Sequence, residues 1–231
     1  MTNDQPKIKQ IARELESKSN LKQKVYRETK EQFKQLKKVA KHVVDEINDL
    51  TSGRLDDNIE VLFIDKGDYE MRIKFAGDVL ICYMHTNVFE FERSHPIWSA
   101  SYVKDDPERS YCGMINFYNF LADSFKYDRR QDSGYLIARM FVNKDRHFFV
   151  EGKRQLGFLF NNFSDSIITA ESIRSIVETA ILYAMEFDLY TPHYNDMKEI
   201  SIGEMVHESS VMRVKTAKRM GYKFSQEEDE E

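Results

Sequence analysis

Cysteine is scarce, with two residues in 231, too few for a disulfide framework or a four-cysteine zinc site. Glycine (9) and proline (4) are scarce as well, which excludes low-complexity sequence. No G-x-x-x-x-G-K-[ST], G-x-G-x-x-G or G-x-S-x-G can be written. The common phosphate loops, the dinucleotide fingerprint and the nucleophile elbow are therefore missing. The longest apolar runs, 79–84 and 180–185, stop at six residues. A helix needs roughly 18 to cross a bilayer, so no membrane span is expected. The first residues, Met1-Thr2-Asn3-Asp4-Gln5-Pro6, are polar and lead into no apolar segment of the secretory kind. With two cysteines and no signal segment, a cytoplasmic location is expected. Cys82, His85, His95 and Cys112 are the nearest approach to a metal set, and their spacing fits no structural zinc template. Neither a metal nor a cofactor is expected.

Hydrophobic residues make up 41% of the chain, enough for one sizeable core. The net charge of −5 hides an asymmetry. Residues 1–42 hold twelve Lys/Arg and five Asp/Glu, so the rest of the chain is strongly acidic. Eight of the cations fall between positions 22 and 41: Lys22, Lys24, Arg27, Lys30, Lys34, Lys37, Lys38 and Lys41. A second basic stretch holds Arg213, Lys215, Lys218, Arg219 and Lys223 with no acid inside it. The last five residues, Glu227-Glu228-Asp229-Glu230-Glu231, are all acidic and are expected to form a solvated tail, the alternative being that they fold back onto a basic patch.

Residues 4–50 have helical spacing. Phe33, Leu36, Val39, Val43, Ile47 and Leu50 form one stripe, which Ile8, Ile11, Leu15, Leu21 and Val25 lead into. Ser17-Lys18-Ser19-Asn20 interrupts the period, which predicts a break with Asn20 as the cap of a second helix. Gly53 suits the C-terminal end. From 59 to 103 the period becomes two, predicting an antiparallel meander with 79–84 as its central strand and 97–103 as its last. Tyr111, Met114, Tyr118, Leu121 and Phe125 step by three and four, predicting a helix over 108–126. Strands are expected at 135–142, 147–153 and 156–160, then a helix capped by Thr169. The fold class is α+β: an antiparallel sheet of about six to seven strands (meander, then hairpin) covered by helices. It carries a long N-terminal helix and a small helical C-terminal extension. Three units follow: a basic helical arm at 1–54, a core at 55–192, and an extension at 193–231 with the acidic tail.

Glu151-Gly152-Lys153 is an E-x-K on an expected strand that follows a hairpin. It resembles the restriction-endonuclease-like E-x-K nucleases. That resemblance implies Mg²⁺ held by Glu151 and a second acid, with Lys153 beside the attacking water. The strand at 135–142 contains no acid, so only Asp132 and Asp145 are available for that role.

Residues 201–211 are similar to the first helix and turn of repressor-type helix-turn-helix units. The resemblance implies a reading helix over 211–220, with Arg213, Lys215, Lys218 and Arg219 toward the nucleic acid. The sequence departs from that pattern at Val206 and Ser210. The alternative is a terminal helix that docks Val211, Val214, Ala217 and Met220 on the core. Tyr111, Phe117, Tyr118, Phe120, Phe125 and Tyr127, followed by Arg129 and Arg130, form an aromatic stretch of a type that stacks single-stranded bases.

These features suit a non-catalytic binding or adaptor protein. Its expected partner is nucleic acid or an acidic protein, engaged through Lys34, Lys37, Lys38 and Lys41 and through Arg213, Lys215, Lys218 and Arg219. Glutamine at the four lysines is expected to abolish binding and leave the fold intact. A homodimer through the N-terminal helix is a further expectation. The Mg²⁺-dependent nuclease is the alternative.

Overall fold

A computed structural model describes residues 5–130, 132–186 and 201–203. Helix α1 (Gln5–Glu14) runs through one π turn (Leu15–Ser19) into α2 (Asn20–Thr51). The expected break is absent. Ser17 Oγ and Asn20 Nδ2 each donate to the carbonyl four residues back, Arg13 and Glu16, both at 2.8 Å. Asn20 thus bonds backward within the helix and caps nothing, and the chain absorbs one extra residue without stopping. Gly53, at φ +66°, ends α2 as expected.

Seven strands form one antiparallel sheet: β1 (Val61–Asp65), β2 (Glu70–Phe75), β3 (Asp78–Met84), β4 (Phe89–Glu90), β5 (Tyr111–Leu121), β6 (Tyr135–Asn143) and β7 (Phe148–Gly152). The order is β1-β2-β3-β5-β6-β7, and β4 pairs with the first residues of β5 beyond the end of β3. The short helices are α3 (Ser101–Asp105), α4 (Ala122–Lys126) and α5 (Gln155–Leu159), and α6 (Ala170–Met185) closes the core. Thr169 caps α6 through a reciprocal pair with Ser172, at 3.1 and 2.9 Å.

Three expectations are corrected. Residues 111–121 are strand, not helix. β5 lies between β3 and β6 and is buried on both faces, so its apolar residues show no period of two. Its Tyr, Cys, Ile and Phe content suits a strand, and Gly113, Asn116 and Asn119 are poor helix formers. Residues 97–103 are not strand either. Asp106 and His95 accept from backbone N–H groups two residues on, and Pro96 and Pro107 start 3₁₀ turns on either side of α3. Residues 156–160 are not strand: 156–159 belong to α5, with Leu156 turned inward, and Phe160 follows its end.

One face of the sheet packs under α2 and α6. Phe33, Leu36, Ala40 and Val43 meet Met71, Ile73, Leu80, Ile115, Phe117 and Met140, and α6 adds Ile173, Ile176, Val177 and Ala180. Arg174 joins the two helices with two bonds to Glu46, at 2.6 and 2.7 Å. The opposite face carries a smaller cluster: Ile97, Val103, Cys112, Phe141, Phe149 and Phe163. Covering on this second face comes from the segment between β4 and β5, which the sequence placed in the sheet. The outer edge of β7 is also closed: Val150 and Phe148 N–H donate to the carbonyls of Phe160 and Ser166. Among the described residues, no helix is long and apolar enough to cross a membrane.

Candidate binding surfaces

The core-facing positions of α2 are Leu21, Val25, Thr29, Phe33, Leu36, Ala40, Val43 and Val44. Helical periodicity puts Arg27, Lys34, Lys38 and Lys41 on the opposite, exposed side. Lys30 and Lys37 fall on the flank that faces the β1–β2 turn. Lys30 Nζ lies 2.6 Å from Asp68, and Lys37 Nζ lies 2.5 Å from Asp65 and also donates to the Gly67 carbonyl. The Lys37 side chain is only 13% exposed. Hydrogen bonds from these ammonium groups hold both aspartates below the usual carboxylate range. Lys24 lies 3.9 Å from Asp145.

The fold thus sorts the basic segment. Lys37, expected to contact a partner, is instead a tie between helix and sheet. Lys34 shares Glu31 at 3.1 Å yet stays exposed. Arg27, Lys38 and Lys41 are exposed and form no ion pair among the described residues. At 1.5 Å per residue the row from Arg27 to Lys41 is about 21 Å long. Glu31 and Asp45 lie within or beside it on the same outward side.

Glu151 stands elsewhere, on the second face of the sheet. The register Glu70–Tyr83–Asn116–Arg139–Glu151 runs straight across five strands as a polar row. Arg139 donates to one oxygen of Glu151, and His95 Nε2 lies 3.3 Å from the other. His95 Nδ1 accepts from Ile97 N–H at 3.2 Å. The proton of the neutral ring is therefore on Nε2, which donates to Glu151. The ring of Phe91 lies against His95 with centroids 4.5 Å apart. An open cavity of about 510 Å³ adjoins the pair, lined by Ile97, Phe149, Asn162 and Phe163 among others.

The other members of the E-x-K reading are not brought to Glu151. Asp145 lies 3.3 Å from Arg109 Nε and 3.4 Å from Tyr102 Oη. Asp132 pairs with Arg129 at 2.9 Å and accepts from Ser124 at 2.8 Å. Lys153 is exposed just past the end of β7. Among the described residues, no three His, Cys, Asp or Glu side chains gather where they could hold a metal. The carboxylate of the motif is a cross-strand ion pair, which is the ordinary use of such a pattern on a sheet. Both nitrogens of His95 are engaged, and neither cysteine is available as a nucleophile. Cys82 and Cys112 lie on opposite faces of the sheet, fully buried, and burial pushes both thiols up.

The aromatic stretch is divided by strand alternation. Phe117 is buried in the main core, and Phe120 packs edge-on against Phe125. Arg129 is buried against Asp132, so it is not presented for stacking. The second basic segment, with Arg213, Lys215, Lys218 and Arg219, and the extension over 193–231 lie outside the described residues, apart from 201–203.

A third surface lies on the N-terminal helix, through which the sequence suggested a homodimer. Every described side chain of α1 is exposed, including Ile8 at 63%, Ile11 at 59% and, in the π turn, Leu15 at 59%. The signal was the apolar stripe itself, but because it leads into the core-facing stripe of α2 its periodicity did not tell a core contact from an exposed face. No family model, curated protein or solved structure matches the chain. What defines it is an α+β body with one long helix that packs along the sheet and projects past it.

Proposed function

We propose that the chain is a non-catalytic binding module that engages an acidic macromolecular partner through the outward side of α2. The observation that carries this is the sorting of the cations. Lys30 and Lys37 neutralise the chain's own aspartates, whereas Arg27, Lys34, Lys38 and Lys41 stay in one exposed row. Clustered cations on a straight helix attract and orient a polyanion at low energetic cost to the fold. An acidic protein fits better than a nucleic acid. Glu31 and Asp45 beside the row would repel a continuous phosphate backbone. The arm α1 belongs to the same proposal as a second docking element, in keeping with the expected homodimer through the N-terminal helix. The test is fluorescence anisotropy with labelled poly-L-glutamate and, separately, a labelled single-stranded oligonucleotide. R27Q/K34Q/K38Q/K41Q should weaken poly-L-glutamate binding about tenfold or more, with unchanged circular dichroism. Equal affinity of variant and parent would remove the row from the account. A clear preference for the oligonucleotide would keep the surface and change the partner to nucleic acid.

A further inference from the structure

We infer that the arm α1 docks on α1 of a second copy in antiparallel orientation. This rests on the reading of α1 as a docking element and names its occupant. Ile8, Ile11 and Leu15 are spaced by three and four, as core positions of a two-helix seam are, and all three are more than half exposed. Beyond Leu15 the seam ends. The π turn over Leu15–Ser19 throws the following residues out of phase with the stripe, and the Lys18 ammonium lies 5.9 Å from the ring centre of Tyr111 on the body.

The charges beside the seam decide between orientations. On one flank stand Lys7 and Glu14, seven residues or two turns apart and of opposite sign. In an antiparallel pair this flank faces the same flank of the other helix. A two-fold axis near residue 10 then sets Lys7 of each copy against Glu14 of the other, twice over. Ile8 of one copy lies across from Ile11 of the second, and Leu15 closes the end. The other flank holds Ala12, small and uncharged, which lets the helices approach. In a parallel pair the first flank would face this neutral one, and neither Lys7 nor Glu14 would meet a charge. The self-complementary pattern is what an isologous interface requires.

The test is sedimentation velocity on the full chain over roughly 1–100 µM, a range suited to a short helix pair. The parent should pass from monomer to dimer as concentration rises. K7E and E14K should each raise the dissociation constant about tenfold or more, by placing like charges face to face. The double variant K7E/E14K should dimerise as the parent does. An equimolar mixture of K7E and E14K should recover dimer, because each then supplies what the other lacks. A parent that stays monomeric at the top concentration overturns the inference. So do single variants that dimerise as the parent does, which is the parallel outcome, and so does a double variant that fails to recover. None of these results touches the poly-L-glutamate test of α2, so failure of the self-pairing and failure of the binding-module reading can be told apart.

Discussion

At the scale of single residues, the main finding is that like residue types have unlike roles. Lys37 and Lys38 are adjacent in the chain and point to different sides of α2. Lys37 is tied to Asp65 and the Gly67 carbonyl, and Lys38 reaches solvent. Lys37→Gln should lower stability by about 0.5–1 kcal/mol at pH 7, allowing for solvent screening of the pair, while Lys38→Gln should change it little. The pH dependence follows from the depressed carboxyl of Asp65. Such a group stabilises the fold above its unfolded value of about 3.9 and loses that contribution as pH falls through its folded value. The gap between parent and Lys37→Gln should therefore narrow below about pH 4, which urea titrations at pH 7, 4 and 3 would show. A gap that stays constant would mean the Gly67 carbonyl, not Asp65, holds the lysine. The density of lysine was legible in the sequence. Which lysines were already engaged was not, because their partners Asp65 and Asp68 lie 28 and 38 residues away and meet them only once β1 and β2 pair under the helix.

At the scale of elements, the crossing of α2 over β5 is set by one glycine. A Cβ at Gly113 would stand 2.1 Å from Thr29 Oγ1 and 2.7 Å from its Cβ and Cγ2. Thr29 is fully buried and its hydroxyl donates to the Val25 carbonyl at 2.8 Å, so it has no room to yield. Gly113→Ala should cost about 1–3 kcal/mol in an equilibrium urea titration, as overpacked sites do. A change below about 0.5 kcal/mol would show that the helix can lift off the strand at this point. The same strand was the hardest element to read. Alternation marks a strand with one wet face, and β2 (Glu70, Arg72 and Lys74 against Met71, Ile73 and Phe75) was plain for that reason. β5 is buried on both faces, and its apolar residues happen to fall at helical steps. Thr169 and Gly53 were read correctly because helix ends have local chemistry. Ser17 and Asn20 were misread because the same side chains can bond backward inside a helix.

At the scale of the whole molecule, the sheet separates two kinds of surface. One face is sealed by α2 and α6, and the outer side of α2 presents the cation row. The other face holds the polar row that ends in Arg139, Glu151 and His95, beside an open cavity. The E-x-K on β7 was legible as a motif, yet its chemistry depends on a second acid that tertiary structure either delivers or withholds. Asp132 and Asp145 are held by Arg129 and Arg109, away from Glu151. The exposed stripe of α1 was legible as apolar periodicity, but periodicity alone does not say whether a stripe meets the body or projects past it. The proposed function turns on α2 being the binding surface. The most direct measurement is amide chemical-shift mapping of the full chain during titration with poly-L-glutamate. Perturbations should centre on residues 27–41 of α2 and fade as salt rises toward about 0.5 M, because exposed charges are screened. Perturbations centred on His95, Arg139 and Glu151, with α2 unmoved, would contradict that assignment and place the ligand in the cavity on the far side of the sheet.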